Sequence, residues 1–257
     1  MARIISVANQ KGGVGKTTTV INLGVALAQN EKKVLLVDID PQGTLSAGVG
    51  VNANGLEHTI YDAMMNSNDP ANQIIRPIKA YLDLLPANND LAAAEIELIP
   101  ELRREMVLRR VLEPLDNWYD YMLIDCPPSL SLLTVNALCA STGVIIPMQC
   151  EYFAMRVIRL LLDSINRTKA RLNSDLELTG ILATMYSTGT VHAREVLEEL
   201  RSAFGDKVFD VVIYKSIRFA EASVANKAII EYSSRHKGAK AYQKLAQELL
   251  EQEDNHA

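Results

Sequence analysis

Long apolar runs are missing from this chain, and so is any excess of basic charge. The longest uncharged stretch, Cys126 to Cys150, is broken by Pro127, Pro128, Asn136, Gly143, Pro147 and Gln149. The pieces are shorter than the roughly 20 apolar residues a membrane helix needs, and they read instead as a helix followed by a buried strand. The N-terminus, MARIISVANQKGG, has one early arginine but lacks the h-region of a signal peptide. Cysteine is scarce: Cys126, Cys139 and Cys150 are spaced too widely for a CxxC pair and lie in apolar surroundings, which points to reduced, buried thiols in a cytoplasmic protein. With 26 Lys and Arg against 31 Asp and Glu, the net charge of −5 speaks against a uniformly basic nucleic-acid coat but leaves room for a local basic face. There is no internal repeat, low-complexity linker or composition break. At 257 residues, 48% hydrophobic and 22% charged, the chain is long enough for a self-sufficient core, and one domain spanning 1–257 is expected.

What is present is alternation. Short β-branched runs recur at Arg3–Ala8, Lys33–Val37, Leu82–Leu85, Tyr121–Ile124, Gly143–Pro147, Leu178–Thr184 and Val208–Ile213, each with the look of a strand buried on both faces. Helical patterns lie between most of them, at Thr17–Gln29, Leu130–Ala140, Phe153–Leu172, Val191–Phe204 and Ala239–Leu250. This βαβα order predicts an α/β fold, a mostly parallel twisted sheet with helices on both faces. The stretch from Asn52 to Asp120 is the least regular, with loop signals at Asn66–Pro70 and a charged helix expected around Glu101–Arg110. There Arg103, Arg104, Arg109 and Arg110 alternate with Glu101, Glu105 and Glu113, the pattern of a solvated face. The tail from about 251, EQEDNHA, is acidic and reads as frayed.

The strongest chemical signal is KGGVGKTT at Lys11–Thr18, placed directly after the first apolar run and before an amphipathic helix. That context is the one a phosphate-binding loop requires. Gly12, Gly13 and Gly15 permit close backbone approach, so successive N–H groups around Val14 and Thr18 can surround phosphate oxygens at a helix N-terminus. Lys16 would reach the β- and γ-phosphates, and Thr17 would place its hydroxyl on Mg²⁺. The glycine spacing does not fit the G-x-G-x-x-G of dinucleotide-binding loops. Asp38 and Asp40 follow the second run in VLLVDIDPQG, at the carboxyl end where α/β sheets place ligand chemistry. Asp125 ends the apolar run YMLID, a Walker B pattern that would bind Mg²⁺ through water.

The loop departs from G-x-x-x-x-G-K-[ST] in having Gln10 at the first glycine position and Lys11 after it. In this deviant form it resembles the ParA/MinD group of P-loop ATPases. ANQKGGVGKTTTVINLGVALA, VLLVDIDPQG, YDYMLIDCPPSLSLLTVNAL and GAKAYQKLAQELL are similar to ParA/Soj partition ATPases over nearly the whole chain. The resemblance implies that Lys11 crosses a sandwich homodimer to the partner's nucleotide, that Asp40 orients the attacking water, and that Asp38 lies in the Mg²⁺ shell. It also implies that Met185 and Tyr214 lie at the adenine pocket. The activity implied is ATP hydrolysis. ATP would close the dimer, the dimer would bind DNA nonspecifically, and a ParB-like or cargo-adaptor partner would stimulate hydrolysis, serving chromosome or plasmid partition or cargo positioning at the nucleoid. A metabolic P-loop enzyme that phosphorylates or ligates a small molecule is the alternative.

Membrane targeting of the MinD kind is disfavoured by the acidic end LLEQEDNHA. With the first run at Arg3, the N-terminal helix-turn-helix of larger partition ATPases, and with it operator reading, is not expected. Nonspecific DNA binding needs clustered Lys and Arg, and residues 207–244 carry eight of them against three acids. Lys215, Arg218, Lys227, Arg235 and Lys237 are the candidates. Two departures stand out: IYKSIRFAEASV replaces a segment close to IPRNVRLSEAPS in the family, putting Tyr214 where a proline is usual. Ser187, Thr188 and Gly189 also stand where a basic residue is common.

Overall fold

The computed structural model describes residues 1–66, 71–151, 154–187, 189 and 191–254. Its strands are β1 (Arg3–Val7), β2 (Val34–Asp38), β3 (Arg76–Lys79), β4 (Leu82–Leu85), β5 (Tyr121–Asp125), β6 (Gly143–Gln149), β7 (Glu177–Tyr186) and β8 (Val208–Tyr214). The helices before β5 are α1 (Lys16–Gln29), α2 (Thr44–Gly48), α3 (Ile60–Met65), α4 (Ala71–Ile74), α5 (Leu91–Glu97) and α6 (Val107–Leu112). Those after it are α7 (Leu132–Ala140), α8 (Ala154–Arg171), α9 (Val191–Phe204), α10 (Ile217–Val224), α11 (Ile229–Tyr232) and α12 (Lys237–Asp254).

The strands form one sheet in the order β3-β4-β2-β5-β1-β6-β7-β8. Every pairing is parallel except β3 with β4. The central strands alternate between two apolar layers, as a period of two requires. Ile5, Val7, Leu36 and Leu123 face the layer under α1 and α12, while Ile4, Leu35, Val37, Met122 and Ile124 face the layer under α7 and α8. Burial on both sides explains why these strands read as continuous apolar runs.

Besides the short helices α2, α3, α4, α5, α10 and α11, which the sequence reading did not propose, four elements differ from it. The sheet gains β3, which contains Pro77; proline cannot donate to a ladder and is tolerated because β3 is an antiparallel edge. β8 is not buried on both faces, since it is the opposite edge and exposes Asp210 and Tyr214. The charged helix begins at Val107, after a short 3-10 turn at Arg104–Met106, because Arg103 sits in the left-handed region at φ 56° and breaks the helical path. The acidic tail is helical through Asp254, as the last turn of α12, and only Asn255–Ala257 lie outside the described residues. The expected helix start at Phe153 and the loop residues 67–70 also fall outside them.

Candidate active site

The reactive side chains gather at the carboxyl ends of β1, β2 and β5. β1 runs into the phosphate loop, where Gly13 and Gly15 take φ values of 72° and 88° that L side chains rarely adopt. Gly15 is also the N-cap of α1, and no side chain caps that helix, so the N–H groups of its first turn face the loop without a capping partner. The loop is pinned from the sheet. Thr184 Oγ1 donates to Val14 O at 2.8 Å, Lys11 N donates to Asn9 Oδ1 at 2.9 Å, and Asn9 Nδ2 donates to Pro147 O at 2.8 Å.

Lys16 is buried at the start of α1, and its Nζ donates to Lys11 O at 3.3 Å. Desolvation pushes its ammonium below the ordinary lysine value, partly offset by the carboxylate of Asp125. Thr17 Oγ1 donates to Asp125 Oδ2 at 2.6 Å. Asp125 and Asp38 are register partners at the ends of β5 and β2, both fully buried. Burial pushes the Asp38 carboxyl up to about 7, and burial followed by repulsion from Asp38 raises Asp125 well above the carboxylate range.

These acids differ in what they hold. Both Asp38 oxygens are committed: Oδ2 accepts from Ser46 N at 2.8 Å and Ser46 Oγ at 2.7 Å, and Oδ1 accepts from Asp40 N at 3.2 Å. Asp38 thus braces the loop that carries Asp40. Asp125 Oδ1, by contrast, is buried with no hydrogen-bond partner. An orphaned carboxylate oxygen beside a threonine hydroxyl at a helix N-terminus is a donor set that a hard divalent cation fits, and a cation would relieve the repulsion between the two acids.

Residues 2–178 match the family described as an AAA domain. The sporulation initiation inhibitor protein Soj of Bacillus subtilis is 46% identical over 249 residues, covering 97% of this chain and 98% of Soj. The chromosome partitioning protein ParA of Caulobacter vibrioides is 43% identical over 253 residues, covering 98% of this chain and 95% of that protein. The chain belongs to the ParA/Soj family of P-loop ATPases. Among solved structures, that of cobyrinic acid a,c-diamide synthase from Mycobacterium smegmatis with bound ATP analogue and magnesium is similar, at 36% identity and a TM-score of 0.88, covering 100% of this chain and 98% of that one.

The ParA/Soj signature lysine, Lys11, is exposed and donates to Glu151, with a second contact to Gln149 Oε1 at 3.1 Å. Gln149 also reaches Met185, whose Sδ lies 2.6 Å from Nε2, so Met185 is joined to the loop through one side chain. Met185 adopts φ 48°, unusual for a residue with a side chain, and is half exposed. Tyr214 is half exposed at the end of β8 and packs edge-on against Tyr186 at 5.8 Å. The five C-terminal cations are all exposed around α10 to α12, but Arg218 is ion-paired to Glu221 at 2.7 Å. Glu151, Gln149, Thr184 and Ser46 escaped the sequence reading. Glu151 meets Lys11 across 140 residues of chain, and no local pattern marks such a partner.

Proposed function

We propose that this ParA/Soj chain is a single-domain ATPase switch that binds ATP and Mg²⁺, closes as a homodimer, and holds duplex DNA nonspecifically in that state. A ParB-like or cargo-adaptor partner then stimulates hydrolysis to ADP and phosphate and releases the DNA, in the cytoplasm and at the nucleoid. The observation that carries the reading is the Thr17–Asp125 pair, with its orphaned Oδ1, set under an uncapped helix N-terminus. Gly12 to Thr18 would cradle the phosphates through backbone N–H groups. Lys16, already desolvated, would set its charge against the β- and γ-phosphates at no further burial cost. Thr17 and Asp125 would hold Mg²⁺, which supplies charge neutralisation between the phosphates when bound. Asp38, through Ser46 and the Asp40 N–H, fixes the position from which Asp40 would orient water. Lys11 is free to serve a second copy, because the exposed pair it makes with Glu151 is worth only about 0–1 kcal/mol. Met185 and Tyr214 would bound the base. Among the described residues no helix is long and apolar enough to cross a membrane.

The similarity to a diamide synthase keeps the metabolic reading in view. A ligase that released ammonia through a cysteine thiolate would need an accessible, acidic thiol. Here all three are buried, with burial raising Cys139 and Cys150 to about 11 and Cys126 higher still. Phosphate release with ATP and Mg²⁺ alone, with and without duplex DNA, separates the two. Turnover that needs no metabolite and responds to DNA supports the switch, whereas turnover that requires an added acid acceptor overturns it.

A further inference from the structure

The helix α8 buries Ala154, Ile158, Leu161, Ile165 and Thr168 against the sheet. Its other side turns Arg156, Arg159, Arg167 and Arg171 to solvent. At about 100° per residue these four arginines fall within roughly a third of the helix circumference, and at about 1.5 Å rise the outer two stand about 22 Å apart. With Lys169 the helix carries five cations against one acid, Asp163, in a chain whose net charge is −5.

Among the described residues, none of the four guanidiniums is ion-paired. Arg167 makes only helix-internal contacts, to Asp163 O at 3.2 Å and Ser164 Oγ at 3.3 Å. In the C-terminal cluster Arg218 pairs with Glu221 while Lys215, Lys227, Arg235 and Lys237, like the α8 arginines, have no ion pair among the described residues; what sets α8 apart is that its cations share one face of a single helix. Like charges stacked along one helix face repel one another, and the one acid in this stripe, Asp163, sits four residues from both Arg159 and Arg167 and leaves the face with a clear excess of cations.

We infer that the arginine face of α8 is a docking surface for the duplex DNA backbone, an inference that rests on the DNA-binding switch proposed above. The chemistry favours phosphate over the other anionic partners. Guanidinium forks pair with phosphate oxygens bidentately, and a straight row about 22 Å long spans several phosphates along a groove edge. A helix that lies on lipid must lend its apolar face to the bilayer, but the apolar face of α8 is spent on the core. An acidic protein partner would be expected to find an aromatic anchor, and the exposed face of α8 offers none.

The test is a mobility-shift titration in ATP and magnesium with two unrelated duplexes, at roughly 50 and 200 mM salt. Wild type is compared with the fourfold variant Arg156→Gln, Arg159→Gln, Arg167→Gln, Arg171→Gln, and with the matching fourfold Arg→Lys variant. ATP binding, measured in parallel, stays unchanged in both, since these side chains are solvent-facing. Each contact adds about 0.9 to the salt slope, so four contacts cost wild type roughly 10²-fold in affinity between the two salt concentrations. The Gln variant is expected to bind more weakly with that much of the salt dependence gone, equally on both duplexes, while the Lys variant keeps the wild-type salt slope and binds with an affinity between the two. Wild-type affinity and slope in the Gln variant would overturn the inference and leave a protein ligand for this face. The inference falls too if Lys215→Gln, Arg235→Gln, Lys237→Gln abolishes binding while the Gln variant of α8 retains it, since the C-terminal cluster then holds the DNA. Failure of wild type itself to bind either duplex removes the DNA-binding switch as well, which distinguishes the two failures.

Discussion

The two ends of the candidate site are built differently. At the phosphate end, Lys16, Asp38 and Asp125 are buried, the loop is tied by Thr184 and Asn9, and Asp38 is held by Ser46. At the base end, Met185 and Tyr214 are half exposed on the last two strands, and Tyr214 lies on a sheet edge. Fixed dipoles and charges in a dry, pre-ordered setting act strongly on a polyphosphate, whereas two flexible exposed side chains offer contact area and little else. Catalytic effects should therefore concentrate at the phosphate end.

The sharpest break of that contrast comes from Lys11, the exposed cation of the phosphate loop. Lys11→Ala should keep ATP binding but lower turnover by about 10³ or more, as for a cation supplied in trans. Single-turnover phosphate release checks this, and mixing with Asp40→Ala chains should yield ATP-dependent mixed dimers by size-exclusion chromatography. Full activity of Lys11→Ala alone would end the trans role. Next in size, Lys16→Ala should cost about 10²–10³ in turnover together with most of the nucleotide affinity, since a methyl cannot replace a desolvated ammonium. Asp40→Ala should instead separate the two, keeping ATP bound while hydrolysis stalls and a dimer accumulates; only monomer in the presence of ATP would contradict it.

A smaller effect is expected from pH. The Asp38 carboxyl is pushed to about 7 in the folded chain, above its ordinary value near 4 when unfolded. Its contribution to stability is therefore full below about pH 4 and is lost as pH rises through 7, with a slope of at most about 1.4 kcal/mol per pH unit. Asp125, raised in the same direction, adds a loss of the same sign, so in metal-free protein stability across pH 4 to 8 should fall with rising pH and Asp38→Asn should make that fall shallower without abolishing it. The mildest substitution lies at the base end. Tyr214→Ala should weaken ATP by about tenfold or less, the scale of one lost stacking contact, with turnover at saturation unchanged. A loss as large as that of Lys16→Ala would erase the distinction between the two ends.

The phosphate end was also the legible end. Lys11–Thr18, Asp38, Asp40 and Asp125 are marked by local pattern because a strand, a tight turn and a helix start are consecutive in the chain, and their residue types are forced by backbone torsion and phosphate charge. β3 was missed because its edge position tolerates Pro77, which otherwise argues against a strand. The arginine face of α8 went unnoticed because its cations are spread over 16 residues and align only when wound on a helix. That the α8 arginines are unpaired while Arg218 is not is a fact of neighbours in space.

By itself, then, the amino-acid order determined the parallel α/β architecture, the phosphate loop with its three acids, and membership of the ParA/Soj family. Those are written in local periodicity and in short-range spacing. Only the tertiary structure decided that Asp38 spends both oxygens on Ser46 and Asp40 while Asp125 keeps one unpartnered, that Lys11 rests on Glu151, and that Thr184 fastens the loop from β7. Hydrogen bonds and burial join residues more than a hundred positions apart, and which oxygen finds a partner depends on packing that no local pattern encodes.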